Sequence, residues 1–163
     1  MQTLFSSALI CMVILLSGCA FTPPVNPGDS EAHVLTRLGK PSNIYQNGQN
    51  TLLEYSTGPF GQSTFMATIN SNKQLISYEQ VLTVEKFSSI KVNQFNQADV
   101  LRVIGKPIEI IDYQRLKLSG WNYAYKENGV WNSMMTVYFD HQGIVRKLEN
   151  GPDSRFERTR FGL

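Results

Sequence analysis

Charge is missing where the chain begins: no Asp, Glu, Lys or Arg precedes Asp29. Cysteine is scarce, with only Cys11 and Cys19, and histidine is limited to His33 and His141. Neither histidine falls in a Cys/His/Asp spacing suited to zinc, so no metal site and no metal ligand is expected. There is no Gly-x-Ser-x-Gly element for a nucleophile elbow and no Gly-rich phosphate loop. Glu54, Glu79, Asp140 and Glu149 fall on strand segments, where carboxylates are ordinarily solvated. No catalytic residue, no cofactor and no small-molecule substrate is therefore expected, and the chain reads as a non-enzyme. With 15 basic against 13 acidic residues and no basic stripe, nucleic acid is also excluded as a partner.

What the N-terminal segment does contain is an apolar run from Leu4 to Leu16. It is shorter than the roughly 20 residues that span a bilayer, and it matches a signal-peptide core. The run ends in Leu16-Ser17-Gly18-Cys19, which resembles the bacterial lipobox. Its n-region departs from the usual pattern, since only the terminal amine is positive. The resemblance implies a signal peptide over residues 1–18 and a lipidated Cys19. Ala20 after it implies sorting to the outer membrane, with the folded part facing the periplasm. The Pro-rich residues 19–28 read as a tether. Removing 18 of the 163 residues leaves 145, with no thiol besides the acylated one. Stability then rests on an ordinary apolar core.

The remainder repeats itself. Val34, Leu35, Leu38, Gly39, Lys40 and Pro41 recur 66 positions later as Val100, Leu101, Ile104, Gly105, Lys106 and Pro107. Leu53-Glu54-Tyr55 aligns with Trp121-Asn122-Tyr123, and Ile69 to Leu75 aligns with Phe139 to Val145. Each copy starts a short helix at a polar cap, Asp29 or Ser30 in the first and Asn96 or Gln97 in the second. Gly39 and Gly105 then read as left-handed C-caps, with Pro41 and Pro107 blocking continuation. Strand patterns follow: Asn50–Ser56, Ser63–Asn70 and Leu75–Thr83, then Ser119–Tyr125, Val130–Asp140 and Ile144–Glu149. Asn128-Gly129 is a hairpin turn. Ile108 to Tyr113 is extended, either a strand or a loop edge.

The expected fold is α+β: two tandem units, each a short helical segment followed by a three-stranded antiparallel meander. The units span 29–83 and 96–150, joined by a structured connector over 84–95 and followed by a basic, aromatic tail over 151–163. Two V-L-x-x-[LI]-G-K-P segments with matching strands, behind a lipobox, resemble the SmpA/OmlA/BamE group of small outer-membrane lipoproteins in tandem form. The topology is similar to that of β-lactamase inhibitor protein. In the first copy, Asn70-Ser71-Asn72-Lys73 departs from the family's Asp and Gly at the second hairpin. The resemblance implies a non-enzymatic envelope role with a protein partner, accessory to outer-membrane protein assembly or to envelope integrity. The alternative is a periplasmic module inhibiting a cell-wall or β-lactamase-type enzyme.

Three features are candidate binding elements. Phe60 sits at a loop tip within Thr57–Gln62, either open to a partner or folded back on the sheet. Trp121, Tyr123 and Tyr125 share one strand face, with Trp131 across the turn, and form either core or an aromatic platform. Arg155, Phe156, Arg158 and Arg160 mark the tail as either a disordered end or a docking segment for a partner or anionic headgroups.

Overall fold

The computed structural model describes residues 24–58 and 60–157. Ser30 caps the first helix, α1 (Glu31–Leu38), by accepting the His33 N–H. Asn96 caps its counterpart, α3 (Gln97–Ile104), in a full capping box with Asp99. Both helices end at a glycine, but not in the expected left-handed cap. Gly39 has φ 79 and ψ −162, and Gly105 has φ 78 and ψ −165. That backbone region is essentially closed to residues with a Cβ. It lets the chain leave the helix at once, extended, into the Lys-Pro that follows.

The expected α+β units of helix plus three-stranded meander are corrected by the structure. The protein is mostly β: two four-stranded antiparallel sheets with only short helices. The first sheet runs β1 (Asn43–Asn47), β2 (Asn50–Ser56), β3 (Thr64–Ile69), β4 (Leu75–Gln80), and the strands neighbour one another in that order. A short α2 (Val84–Ser88) precedes α3. The second sheet repeats the order with β5 (Glu109–Tyr113), β6 (Leu118–Glu127), β7 (Trp131–Phe139) and β8 (Val145–Pro152), and a turn of helix, α4 (Ser154–Glu157), follows. The strands that periodicity understates are β1 and β5. Both are edge strands held mainly by ladder hydrogen bonds, and their isoleucines Ile44 and Ile110 stay 60% and 55% exposed. Register nevertheless fixes them: Asn43 pairs with Glu54, and Glu109 pairs with Asn122.

The repeat extends to single hydrogen bonds. Asn70 Oδ1 accepts the N–H groups of Asn72 and Gln74, and Asp140 Oδ1 accepts those of Gln142 and Ile144. Asn70 therefore closes its turn as Asp140 does, and Lys73 takes the positive φ that Gly143 takes in the second copy. Each helix start is then stitched to this turn: Glu31 N–H to Lys73 C=O, and Gln97 N–H to Gly143 C=O.

The first core lies between α1 and one face of the first sheet, with Val34, Leu53, Ala67, Ile69 and Leu75 buried. Val25, from the segment read as a tether, is buried in the same cluster. The opposite face buries Leu52 and Met66 against Val81, so β2 is covered on both sides. The second core is larger and aromatic. Val100 and Ile104 of α3, Phe87 of α2 and Ile90 pack on Trp121, Tyr123, Tyr125 and Phe139. Phe87 meets the Tyr125 ring edge-on at 4.9 Å, and Trp121 lies 4.6 Å from Phe139.

Candidate functional site

The residues singled out in the sequence do not gather in one place. Cys19, Arg158 and Arg160 lie outside the described residues. Trp121, Tyr123 and Tyr125 share a face as expected, and that face is the second core; their exposures are 7%, 0% and 1%. Trp131 is separated from them, at the start of β7 and 66% exposed. Phe60 projects from the β2–β3 loop and is 84% exposed. Arg155 grips buried Asp153 through both side-chain and backbone nitrogens, and half-exposed Phe156 lies beside its guanidinium.

The loop that carries Phe60 has a defined shape. Thr57 N–H and Oγ1 both donate to Ser63 C=O, and Gly61 N–H donates to Gly58 C=O. A Cβ at Gly61 would fall 1.8 Å from Thr57 Oγ1, so only glycine closes this loop. The loop forms one wall of a cavity of about 260 Å³. The other walls come from the second unit, through Lys106, Pro107, Ile108 and Tyr123, and from Leu82.

At this junction lies Glu54, which sequence reasoning places on a solvated strand surface. It is 1% exposed. Strand alternation puts it on the opposite face from Leu53 and Tyr55. That face is not open, because the turn after α3 covers it. Glu54 Oε2 accepts the Tyr45 hydroxyl at 2.5 Å and the Lys106 backbone N–H at 3.2 Å. The short phenol contact has the length of a charge-assisted O–H···O⁻ bond. Burial raises the Tyr45 hydroxyl's pKa, and the hydrogen bond to Glu54 and its charge raise it further. Tyr123 is pushed well up in the same direction, by burial first and then by Tyr45 and Glu54. Both phenols therefore stay neutral, and both act as donors, Tyr123 to Gly105 C=O at 3.1 Å.

The other carboxylate oxygen, Oε1, is buried and has no hydrogen-bond partner among the described residues. The repeat makes that vacancy informative. The residue equivalent to Glu54 is Asn122, and both ends of its amide are used. Nδ2 donates to Glu109 at 2.9 Å, and Oδ1 accepts from Thr136 at 2.7 Å. One copy of the fold thus carries a satisfied amide where the other carries a carboxyl group with an acceptor to spare.

Sequence reasoning missed this site, although three signals could have marked its surroundings. They are the Glu54–Asn122 alignment, the Gly-Lys-Pro after α3, and Asn47-Gly48, whose Gly48 has φ 60 in the two-residue turn that brings Tyr45 alongside Glu54. Among the described residues no group of three His, Cys, Asp or Glu side chains is placed to hold a metal. No family model, no curated protein and no solved structure matches this chain, so the site is read from its own geometry.

Proposed function

We propose that the protein is a lipid-anchored, non-enzymatic interaction scaffold of the bacterial envelope, held at the outer membrane through Cys19 and facing the periplasm. It would serve as an accessory to outer-membrane protein assembly or to envelope integrity. The Leu16-Ser17-Gly18-Cys19 lipobox and the tandem Gly-Lys-Pro repeat support the anchor and the SmpA/OmlA/BamE-like reading. The observation that carries the interaction role is the pair of β-hairpin tips. The β2–β3 loop holds Phe60 out at 84% exposure, and the β6–β7 turn holds out Val130 and Trp131 at 65% and 66%. Large apolar groups exposed at hairpin tips are the kind of anchor a partner protein covers.

The test has two parts. Cys19→Ala is expected to release the protein from outer-membrane fractions, and retention there sinks the anchor. Photo-crosslinkers at positions 60 and 131 in living cells are expected to trap components of the barrel-assembly machinery. Trapping of one hydrolase or penicillin-binding protein instead favours the inhibitor reading, and no crosslink at either position ends the scaffold reading.

A further inference from the structure

We propose that the outer edge of β8, with the groove between it and α2, docks an extended segment of another protein in which an apolar and a basic residue stand two positions apart. The segment adds to the second sheet as a further strand. This site stands apart from the membrane anchor and from the exposed hairpin tips, and it holds or fails without them.

The first support is the backbone of the edge. Asp153 N–H donates to Asn132 C=O, and the β7–β8 register runs on from there to Val137 opposite Leu148. Bonded positions alternate along an antiparallel pair, so Glu149 and Gly151 face β7 while Leu148 and Asn150 turn their N–H and C=O groups outward. Among the described residues no strand pairs with β8 on that side. Asn93 and Phe95 bond Val145, and the edge beyond it is open. The features that blunt an edge lie elsewhere: the bulge is at Tyr138 and Phe139, Pro152 comes last, and Lys147 lies over the Tyr138 ring on the other face. A row of unpaired groups of this kind is a template for a strand.

The second support is the groove. Leu148 and Asn150 carry their side chains on the face that α2 covers, beside a groove of about 350 Å³. Phe87, Ile90, Met135 and Leu148 make its wall apolar. By the alignment of Ile69 with Phe139, the first copy has Phe65 and Tyr78 where the second has Met135 and Leu148, and those two rings stack 5.1 Å apart. Exchanging two rings for a thioether and an aliphatic chain leaves room that a partner's side chain can fill. The wall is already braced, because the Tyr125 hydroxyl donates to Asn150 Oδ1 and Phe87 meets the Tyr125 ring.

The third support is charge. Glu127 closes one end of the groove. Its Oε2 accepts the Ser133 hydroxyl at 2.7 Å and the Asn150 amide at 3.0 Å, and these bonds hold its carboxyl below the usual range. The described residues lining the groove include no Lys or Arg. Residues opposite Leu148 and Asn150 on an added strand fall two apart and share one face. The first meets the apolar wall and the second lies next to Glu127, which sets the apolar-x-basic spacing. Within this chain Arg146-Lys147-Leu148 has that spacing, but Arg146 is bound to Asp140 and Asn93, so the occupant is another protein.

The experiment titrates the full chain in detergent with two capped peptides, acetyl-Thr-Val-Thr-Lys-Thr-amide and acetyl-Thr-Lys-Thr-Val-Thr-amide, one for each strand direction. Backbone amides are followed by NMR and hydrogen exchange. Saturable shifts are expected, with the Leu148 and Asn150 N–H groups newly protected and Glu149, already bonded to β7, little changed. The better peptide is expected to bind about fivefold or more tightly than its form with Glu in place of Lys, an advantage that salt reduces. Glu127→Gln is expected to erase that preference and keep the protection. Met135→Phe, which restores the ring of the first copy, is expected to fill the groove and weaken both peptides. On the unmutated protein, shifts without protection at Leu148 and Asn150 overturn the proposal. So does equal binding of the Lys and Glu peptides, or of a peptide N-methylated at its Val and Lys. Self-association of the free protein that protects the same two amides makes a second copy the occupant and overturns it as well.

Discussion

Glu54 accepts the backbone N–H of Lys106, 52 positions further along the chain, at 3.2 Å. The bond joins the middle of the first sheet to the exit turn after α3. It lies where Gly105 has no side chain to keep the two apart: a Cβ there would sit 2.9 Å from the Glu54 carboxyl carbon. The second helix's exit turn and the first sheet's buried acid thus form one contact.

Tyr45→Phe tests what holds that acid. The change removes the 2.5 Å phenol donor and leaves Glu54 with Lys106 N–H alone. A buried acceptor stripped of a donor costs about 1–3 kcal/mol. The urea midpoint is expected to fall by that loss divided by the slope, with the slope itself unchanged. An unchanged midpoint would mean that water takes the phenol's place without loss.

The two helix-ending glycines give a matched pair. Both occupy a backbone region that costs a non-glycine residue about 1–3 kcal/mol. Around Gly39 nothing lies within 4 Å of a built Cβ, whereas at Gly105 the Glu54 carboxyl and the Thr64 methyl stand at 2.9 and 3.2 Å. Gly39→Ala is expected to show the backbone cost alone. Gly105→Ala is expected to lose about 1–3 kcal/mol more, from overpacking. In a Glu54→Ala background that excess should shrink, and a double-mutant cycle measures it. Equal losses at the two glycines would mean that Glu54 is not confined.

The same glycines show what sequence reading reaches. Spacing of Val34, Leu35 and Leu38 ahead of Gly39-Lys40-Pro41 is local information, and the helix and its abrupt end follow from it, with the cap narrowed to Asp29 or Ser30. The Asn70 turn was harder. It lacks the Asp and Gly of its counterpart, yet Asn70 supplies the same side-chain acceptor. The first strand of the first sheet was hidden for a different reason. Asn43-Ile44-Tyr45-Gln46-Asn47 has too few apolar residues to show a period, and as an edge strand it needs none. Glu54 was the least legible. Its burial is imposed by Lys106 and its neighbours, half a chain away, and a carboxylate on an alternating strand gives no local hint that its polar face is covered.

Acid sensitivity is expected to centre on Asp153, whose side chain is fully buried beside Arg155. Burial pushes the Asp153 carboxyl up, but the hydrogen bonds and charge of Arg155 outweigh it, and the group ends below its usual value. A folded-state pKa below the unfolded one stabilises the protein above the unfolded pKa, and that stability is lost as pH falls through the folded one. Asp153→Asn should therefore lower Tm at pH 7 and differ less from the parent below about pH 4. Some acid slope should persist in the variant. The Asp140 carboxyl is also lowered, first by the Ile144 N–H and with the aid of Arg146. A constant Tm gap from pH 7 to 3 would contradict this account.

The exposed and buried aromatics should separate stability from binding. Tyr123 has no exposed surface and packs edge-on against Phe87, so Tyr123→Ala should cost about 3–5 kcal/mol. Phe60 and Trp131 stand mostly in solvent. Phe60→Ser and Trp131→Ser should each leave stability within about 0.5 kcal/mol of the parent, as substitutions away from buried features do. If the hairpin tips carry the partner interaction, these two variants should lose envelope crosslinks while melting normally. A milder core variant such as Phe87→Leu should weaken the fold yet keep its crosslinks at permissive temperature. Loss of stability on removing Phe60 would instead mean that the ring packs back on the molecule in solution, leaving the β6–β7 turn as the one apolar tip available to a partner.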